Sequence, residues 1–281
     1  MVDEPDGFRD AFPFRVMMRY GENPALLPGA HAPDYERLWT GAFAGGMRSR
    51  TARARIAARA YHQAGTDARR KARSGGRVSP WLHLASNLAE PPLADPAANH
   101  VLVKSVQCAR SIEWIVDTFE PRVVVIVRHP LNALASWRDL GFVRNPSENH
   151  DLARFARDQW DVKAPPLGAP LLAQQAFVFG VLTSALLAAV DRHPEWIVVR
   201  HEQLCTNPIV ELQSLADRLG LMWTPSAEDF VLESDRRGEG FATARVASEL
   251  VDGWRTRLDD AEVELIRGVL GAFPTAALTD C

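Results

Sequence analysis

Three short runs of β-branched and other apolar residues most constrain how this chain can fold. They are VLVKS at 101–105, VVVIV at 123–127 and WIVVR at 196–200. A strand with one face in water alternates apolar and polar residues, whereas these runs are almost continuously apolar. Continuous β-branched runs are typical of parallel sheets that are buried on both faces. The sequence therefore predicts three strands of a parallel sheet.

Helical patterns separate and follow the predicted strands. Residues 107–119 and 131–140 follow the first and second strands. Residues 208–221 form an amphipathic pattern that ends at Gly220, and residues 259–273 begin with acids that suit a helix dipole. Strand, helix and strand in this order define βαβ units. We therefore expect an α/β fold in which residues 1–281 form a single domain.

The longest uncharged segment, LLAQQAFVFGVLTSALLAAV at 171–190, has two interpretations. It is nearly long enough to cross a bilayer. It also carries Gln174, Gln175, Thr183 and Ser184, and the polar sequence DRHPEW follows directly. A helix that is apolar all round is buried either in lipid or in a protein core. Its polar residues favour the core, so we expect no transmembrane segment.

Charge and cysteine content narrow the class of partner and the compartment. The formal net charge is -3, so the chain as a whole carries no nucleic-acid signature and any anion-binding site must be local. Cys108, Cys205 and Cys281 have neither zinc-ligand nor disulfide-framework spacing, so we expect no metal and a reducing cytoplasm. The opening MVDEPDGFRD is acidic and lacks an apolar run, so we expect no secretory signal.

A strongly basic segment at 48–77, whose single acid is Asp67, has two interpretations. It is either a solvated helical face or a patch that faces an anionic ligand. Nucleic acid is the less favoured ligand, because Tyr61 is the one aromatic residue there that could stack on a base. We therefore expect no nucleic-acid partner.

Arg128 stands where the second predicted strand passes into a helix. Ligands of open α/β sheets bind at the carboxyl ends of strands, where helix N-termini point positive partial charge. Pro130 suits the first helical turn, because its missing N–H costs nothing there, and Ser136 comes eight residues after the arginine. A guanidinium and a hydroxyl at a helix start can hold a phosphate. The alternative is an Arg128 that pairs with a neighbouring loop and a Ser136 that only fills the helix.

The stretch VVVIVRHPLNALASW at 123–137 resembles the 3′-phosphate-binding segment of sulfotransferases that use 3′-phosphoadenosine 5′-phosphosulfate (PAPS). In that family an apolar strand ends in Arg, a Pro follows, and a Ser comes eight residues after the Arg. The resemblance implies a P-loop-type parallel sheet flanked by helices. It also implies that Arg128 and Ser136 hold the 3′-phosphate of PAPS, or of its product adenosine 3′,5′-bisphosphate (PAP).

Further segments extend the resemblance along the chain. VVRHEQLCTNPIVELQSLADRLGL at 198–221 is similar to a family segment in which a Tyr contacts the adenine, and His201 stands in the place of that Tyr. GWRTRLDDAEVELI at 253–266 resembles the family's Trp-basic segment and last helix. SDRRGEGF at 234–241 is similar to the basic loop that closes on the 3′-phosphate. The residues to which this last similarity gives a binding role are Arg236, Arg237 and Gly238.

Two residues are candidates for the chemistry. Lys104 ends the first predicted strand and can stabilise the transferring sulfonate electrostatically; the alternative is a surface lysine at a strand end. Glu4 resembles the Glu that bacterial and heparan-type relatives place beside the acceptor hydroxyl, where a carboxylate accepts the acceptor's proton. The alternative is a surface carboxylate at the terminus. The histidine base of the cytosolic enzymes is not carried over, because Val106 and Gln107 stand near that position.

One hallmark of the family has no counterpart in this sequence. The family's first strand runs into a glycine-rich loop whose backbone N–H groups cradle the 5′-phosphosulfate. The nearest substitute, AFAGGMRSRT at 42–51, has glycines but no apolar strand before it. Loss of that loop-bearing central strand would leave two neighbouring strands with unpaired edges. We therefore expect residues 1–281 to be an N-terminally truncated version of the family's domain, through either a start-site error or a deleted N-terminal segment, rather than a protein that evolved without the loop.

These features predict a sulfotransferase that transfers a sulfonate group from PAPS to a hydroxyl of a small molecule, glycan or lipid. Acceptor pockets in such enzymes are built from loops, and the candidates here are residues 80–93 and 142–152. The first alternative is a PAP-binding pseudoenzyme without transferase activity. A P-loop kinase relative is disfavoured by the missing Walker lysine. DNA binding through residues 48–77 would show a steep salt dependence.

Overall fold

The computed structural model describes residues 2–3, 23–44, 99–141, 150–166, 168–235 and 246–279. These residues form an α/β structure that is mostly helical and contains a small amount of parallel sheet. The α/β class is therefore confirmed at this level, while the P-loop-type sheet flanked by helices and the absence of its first strand stay predictions. The chain divides into two compact units, Met1–Pro121 and Arg122–Cys281.

The first unit holds a short parallel ladder and an aromatic core. Its strands are β1, Val2–Asp3, and β2, Val103–Lys104, and its described α-helices are α1, Pro33–Phe43, and α2, Ile112–Phe119. Tyr35 packs against Trp114 with ring centroids 5.3 Å apart, and its hydroxyl lies 2.9 Å from Ser111 Oγ. The helix predicted from residue 107 begins only at Ile112, because the N–H of Ser111 turns back to the carbonyl of Cys108 at 2.9 Å.

The second unit is built from a parallel ladder and the helices that follow its strands. Strands β3, Val124–Val127, and β4, Ile197–Arg200, pair in parallel. After β3 come α3, Pro130–Asp139, α4, His150–Trp160, and α5, Leu171–Arg192. After β4 come α6, His201–Thr206, α7, Pro208–Leu219, α8, Pro225–Ser234, and α9, Asp260–Leu270. Short 3₁₀ helices span Ala247–Leu250 (η1), Gly253–Thr256 (η2) and Pro274–Leu278 (η3).

The β3–β4 ladder is buried on one face. The core side is formed by Val125, Val127, Ile197 and Val199. On the opposite face Ile126 is 56% exposed and Val198 is 39% exposed. The prediction that both faces of these strands are buried is therefore wrong for that face. A β-branched side chain also suits an exposed strand position, because its stiff χ1 fits the extended backbone. The described strands moreover form two separate two-stranded ladders rather than one sheet.

Helix α5 lies in the core of the second unit. Within the described ranges it is the one helix long and apolar enough to cross a membrane, and 67% of its most apolar window is buried inside the protein. Its apolar side chains join a cluster with α3 and α9 that includes Leu131, Leu134, Ala176, Phe179, Ile266 and Leu270. This packing is that of a core helix, as its polar residues led us to expect. Gly180 of α5 makes room for the ring of Phe273, since a Cβ added at Gly180 would lie 2.6 Å from that ring.

Candidate functional site

Arg128 lies at the carboxyl end of the β3–β4 ladder. Strand β3 ends at Val127, His129 is the N-cap of α3, and Pro130 is the first residue of that helix. The missing N–H of the proline is tolerated there because the first helical N–H groups have no partner within the helix. The prediction that Arg128 stands between a strand and a helix start is therefore confirmed.

His201 follows strand β4 at the same end of the ladder at which Arg128 follows strand β3. The register places Val127 opposite Arg200, and both strands end at that pair. His201 and Arg128 are partly buried. Burial lowers the pKa of His201, the charge of Arg128 lowers it further, and Glu202 opposes both. The structure thus brings together two of the residues that the sequence singled out.

The guanidinium of Arg128 is partly buried and its hydrogen-bonding capacity is incompletely used. Its Nε is buried and has no hydrogen-bond partner among the residues that the structure describes. Burial lowers the pKa of Arg128, Glu202 raises it through charge, and Arg257 lowers it. A desolvated cationic donor without a partner is unfavourable, so an anion that bound there would be stabilised. This side chain can therefore hold an anionic ligand.

A second arginine acts on Arg128 and was missed when the sequence was read. Arg257 follows η2, and its Nη2 lies 2.8 Å from Oδ2 of Asp139, to which its Nε also donates at 2.9 Å. Arg138 Nη2 donates to the carbonyl of Arg257 at 2.6 Å. These bonds fix both the backbone and the head of Arg257 against α3. Its place in the basic stretch GWRTRL was the one available signal.

Ser136 lies within α3. Pro130 is the first residue of the helix, so Ser136 stands about 9 Å further along the axis. It shares a face with Asn132, one turn earlier, whose Nδ2 lies 3.4 Å from Oε1 of Glu202. The Arg128 side chain must therefore extend along α3 if both residues are to bind one phosphate.

The start of α3 is occupied by a carboxylate of the protein itself. Oε1 of Glu202 accepts a hydrogen bond from the backbone N–H of His129 at 3.0 Å and one from Asn132. Its Oε2 is buried and has no hydrogen-bond partner within the described ranges. Helix N-termini attract anions, and here Glu202 takes that position. A phosphate must consequently be bound by arginine side chains rather than by the backbone at the start of α3.

The rings of His129 and Trp254 stiffen this helix start. They are stacked, with centroids 5.9 Å apart and planes 2° apart. Nδ1 of His129 accepts a hydrogen bond from the N–H of Leu131 at 3.3 Å. Burial lowers the pKa of His129, an effect that the charge of Glu202 opposes. Nδ1 of His129 therefore acts as an acceptor that caps the start of α3.

Cys205 is a neighbour of His201 and is affected by the charges of Glu202 and Arg128. Its Sγ is 3.6 Å from Nδ1 of His201. Burial raises the pKa of the Cys205 thiol, Glu202 raises it further, and Arg128 lowers it. A thiol with a raised pKa is a poor nucleophile at neutral pH. The charges of its neighbours thus act on the thiol.

The remaining candidates lie in the first unit or outside the described residues. Lys104 is exposed at the end of β2, in the first unit, and its role at the sulfonate stays a prediction. The candidates that lie outside the described residues are Glu4, Arg236, Arg237 and Gly238. The basic segment at 48–77 and the acceptor loop at 80–93 also lie outside them. In the part of the chain that the structure describes, no group of three or more His, Cys, Asp or Glu side chains could hold a metal ion.

The fold and the site define an α/β protein with a partly desolvated arginine, Arg128, at the carboxyl end of a parallel ladder. A second arginine, Arg257, acts on it through charge. Comparisons with protein-family models, curated proteins and solved structures find no match for this chain. The function is therefore inferred from the segment around Arg128 and the contacts that surround it.

Proposed function

We propose that this chain is a PAPS-dependent sulfotransferase, which transfers a sulfonate group from PAPS to a hydroxyl of an acceptor. The observation that carries the proposal is the partly buried guanidinium of Arg128, whose Nε has no partner among the described residues. It stands after a parallel strand, where α/β proteins bind ligands. The resemblance of residues 123–137 to the 3′-phosphate-binding segment of that family indicates that the ligand is a 3′-phosphate.

A 3′-phosphate matches the groups that surround Arg128. Its oxygens accept the two parallel N–H bonds that a guanidinium offers, and charge-assisted bonds of this kind are strong. Arg257 adds a second positive charge in the neighbourhood of Arg128, whose pKa it lowers. Ser136 contributes a hydroxyl donor on α3. His201, beside Arg128, would contact the adenine, and Arg236, Arg237 and Gly238 would close over the phosphate.

The proposed transfer is an in-line displacement at sulfur. The acceptor oxygen forms a bond to the sulfur of PAPS while the bond from that sulfur to the phosphate oxygen of the leaving PAP breaks. The acceptor's proton goes to the carboxylate of Glu4. Lys104 stabilises the negative charge on the transferring sulfonate. No redox step or metal takes part in this proposal.

A second candidate function is PAP binding without transfer. The described groups around Arg128 all belong to the second unit, whereas Lys104 belongs to the first. Recognition of the 3′-phosphate would therefore be possible even if the residues proposed for catalysis did not act. Binding and transfer must accordingly be measured separately.

Calorimetric titration of PAP into the full chain tests the binding half of the proposal. We expect one PAP bound per chain, and we expect Arg128→Ala to weaken it by about ten- to a hundredfold, the effect of losing a hydrogen bond to a charged group. Adenosine 5′-monophosphate, which lacks the 3′-phosphate, should be insensitive to the same substitution. Arg154→Ala, which removes an exposed arginine that pairs with Asp151, is the matched control. A folded chain that does not bind PAP would overturn the proposal.

Transfer of radiolabelled sulfonate from PAPS to a panel of hydroxyl compounds tests the other half. Glu4→Gln and Lys104→Ala should lower kcat while leaving the affinity for PAP unchanged, because neither residue is proposed to hold the 3′-phosphate. Binding of PAP with no transfer to any acceptor would favour the pseudoenzyme instead.

A further inference from the structure

We infer that Glu202 is the built-in counter-ion of Arg128 and that it competes with a bound phosphate for this guanidinium. The inference rests on the proposed function, since it assigns Glu202 an affinity-setting role in the same anion site. Glu202 would be a positioning residue rather than a catalytic one, because it acts on the ligand through Arg128.

The position of Glu202 is fixed by bonds to α3. Its side chain is 17% exposed, and it follows His201 at the start of α6. One oxygen, Oε1, accepts from the backbone N–H of His129 at 3.0 Å and from Nδ2 of Asn132 at 3.4 Å. The other oxygen, Oε2, is buried without a hydrogen-bond partner among the described residues. The carboxylate is therefore anchored through one oxygen, while the other makes no hydrogen bond among the described residues.

The guanidinium of Arg128 also has an unused hydrogen-bonding group. Nε of Arg128 is buried without a partner in the described part of the chain, and Glu202 acts on Arg128 through charge rather than through a hydrogen bond. The bonds to His129 and Asn132 hold the carboxylate in place, so it does not take up the donors of Arg128. The guanidinium is thus partly neutralised by charge while the N–H of its Nε stays unused.

This arrangement has opposite effects on the unliganded protein and on the complex. A desolvated arginine without a counter-ion would destabilise the fold, so Glu202 stabilises the unliganded state. A phosphate dianion brings two negative charges toward the fixed carboxylate, and like charges in a partly desolvated site repel strongly. Glu202 therefore lowers the affinity for PAP and favours its release.

Two substitutions of Glu202 separate its charge from its hydrogen bonds. Glu202→Gln keeps the size of the side chain and an oxygen that accepts from His129, but it removes the charge. We expect it to bind PAP about three- to tenfold more tightly and to unfold at a lower temperature without ligand. Glu202→Ala also removes the bonds at the start of α3, so we expect it to lose both stability and affinity. Glu228→Gln, an exposed acid on α8, is the control and should change neither.

A readout that needs no nucleotide distinguishes failure of this inference from failure of the proposed function. The Cys205 thiol responds to Glu202, Arg128 and Asp235 and lies beside His201. In a chain with Cys108→Ser and Cys281→Ser, ultraviolet absorbance of the thiolate against pH reports the pKa of Cys205. Glu202→Gln should lower that pKa and Arg128→Gln should raise it.

The outcomes are distinct. Opposite shifts of the Cys205 pKa in the two variants support the counter-ion assignment even if PAP does not bind, in which case only the proposed function fails. Unchanged Cys205 titration in both variants overturns the inference. Weaker PAP binding by Glu202→Gln also overturns it, because that result would mean that the charge helps the ligand to bind.

Discussion

The side-chain oxygen of Asn132 accepts a hydrogen bond from the backbone N–H of Trp254 at 3.0 Å. Its Nδ2 donates to the carbonyl of Val251 at 2.7 Å and lies 3.4 Å from Oε1 of Glu202. Asn132 is 1% exposed, so all of these bonds lie out of water. One buried amide therefore ties the start of α3 to the segment that carries Arg257 and to the residue that follows His201.

Asn132→Ala should lower the free energy of unfolding by about 2–3 kcal/mol, because buried groups that lose their only partner cost roughly 1–3 kcal/mol each. The groups left without it are the N–H of Trp254 and the carbonyl of Val251. Urea unfolding followed by tryptophan fluorescence measures the change. Asn207→Ala is the matched control: this exposed residue makes no side-chain capping bond at α7, so we expect a change within about 0.5 kcal/mol. Equal losses in the two variants would contradict the role assigned to Asn132.

Gly180→Ala should destabilise the second unit by about 1–3 kcal/mol, the usual cost of overpacking a core. The new Cβ would lie 2.6 Å from the ring of Phe273, which is itself buried. Gly268→Ala should instead stabilise the second unit, because Gly268 is exposed in α9 and a Cβ there meets nothing within 4 Å. Alanine in a helix is favoured over glycine by about 0.5–1 kcal/mol. Thermal melts of the two variants measure both effects, and stabilisation by Gly180→Ala would refute the packing described for Phe273.

Acidification should destabilise the protein between about pH 7 and pH 5. Burial lowers the pKa of both His129 and His201 in the folded state, while the unfolded chain has the ordinary value of about 6.5. Between the two values the unfolded state binds more protons, so stability is complete above pH 6.5 and falls as pH decreases toward the folded values. Each histidine contributes at most about 1.4 kcal/mol per pH unit.

The melting temperature against pH measures this effect. His201→Gln should flatten the slope, and the exposed His150→Gln should leave it as it is. If the melting temperature of His201→Gln depends on pH as that of the parent chain does, protonation of His201 is not coupled to unfolding.

Arg257→Gln should weaken PAP binding by about ten- to thirtyfold at low ionic strength, because it removes a fixed positive charge from the neighbourhood of Arg128. Asp139 keeps a partner in the variant, since Arg138 Nη2 lies 3.0 Å from its Oδ1. Arg255→Gln is the matched control, because Arg255 pairs with exposed Asp252 instead. Isothermal titration with PAP compares the variants, and equal affinities would remove Arg257 from the site.

Local signals explain which elements were predicted from the sequence. Strands β3 and β4 fall within the predicted runs because each is a dense β-branched stretch. Helix α7 ends where expected because Gly220 adopts the left-handed conformation, with φ 67°, that suits a helix end. Helix α9 begins at Asp260 because Asp259 and Glu262 form a capping box. Each of these signals depends on residues that are neighbours in the sequence.

The site was only half predictable because its organising contacts are long-range. Arg128 and His201 could be placed together by the rule that ligands bind at the carboxyl ends of strands. The bond from the N–H of His129 to Glu202 spans 73 residues, and the bond from Arg257 to Asp139 spans 118. No local pattern encodes either contact. The sequence therefore indicated an anion site but not the carboxylate that already occupies the helix start.

The parallel pairing of β3 with β4 has a consequence for the order of folding. Val127 finds Arg200 only after the intervening chain, including α3 and the long α5, has been brought into a crossover. Pairings between residues so distant in sequence form late, because closing the large loop precedes any gain from the contact. The neighbourhood of Arg128, His201 and Glu202 then assembles among the last events. During refolding, recovery of anion binding would lag behind recovery of helix content, and a chain arrested before the crossover closes would be helical yet unable to bind.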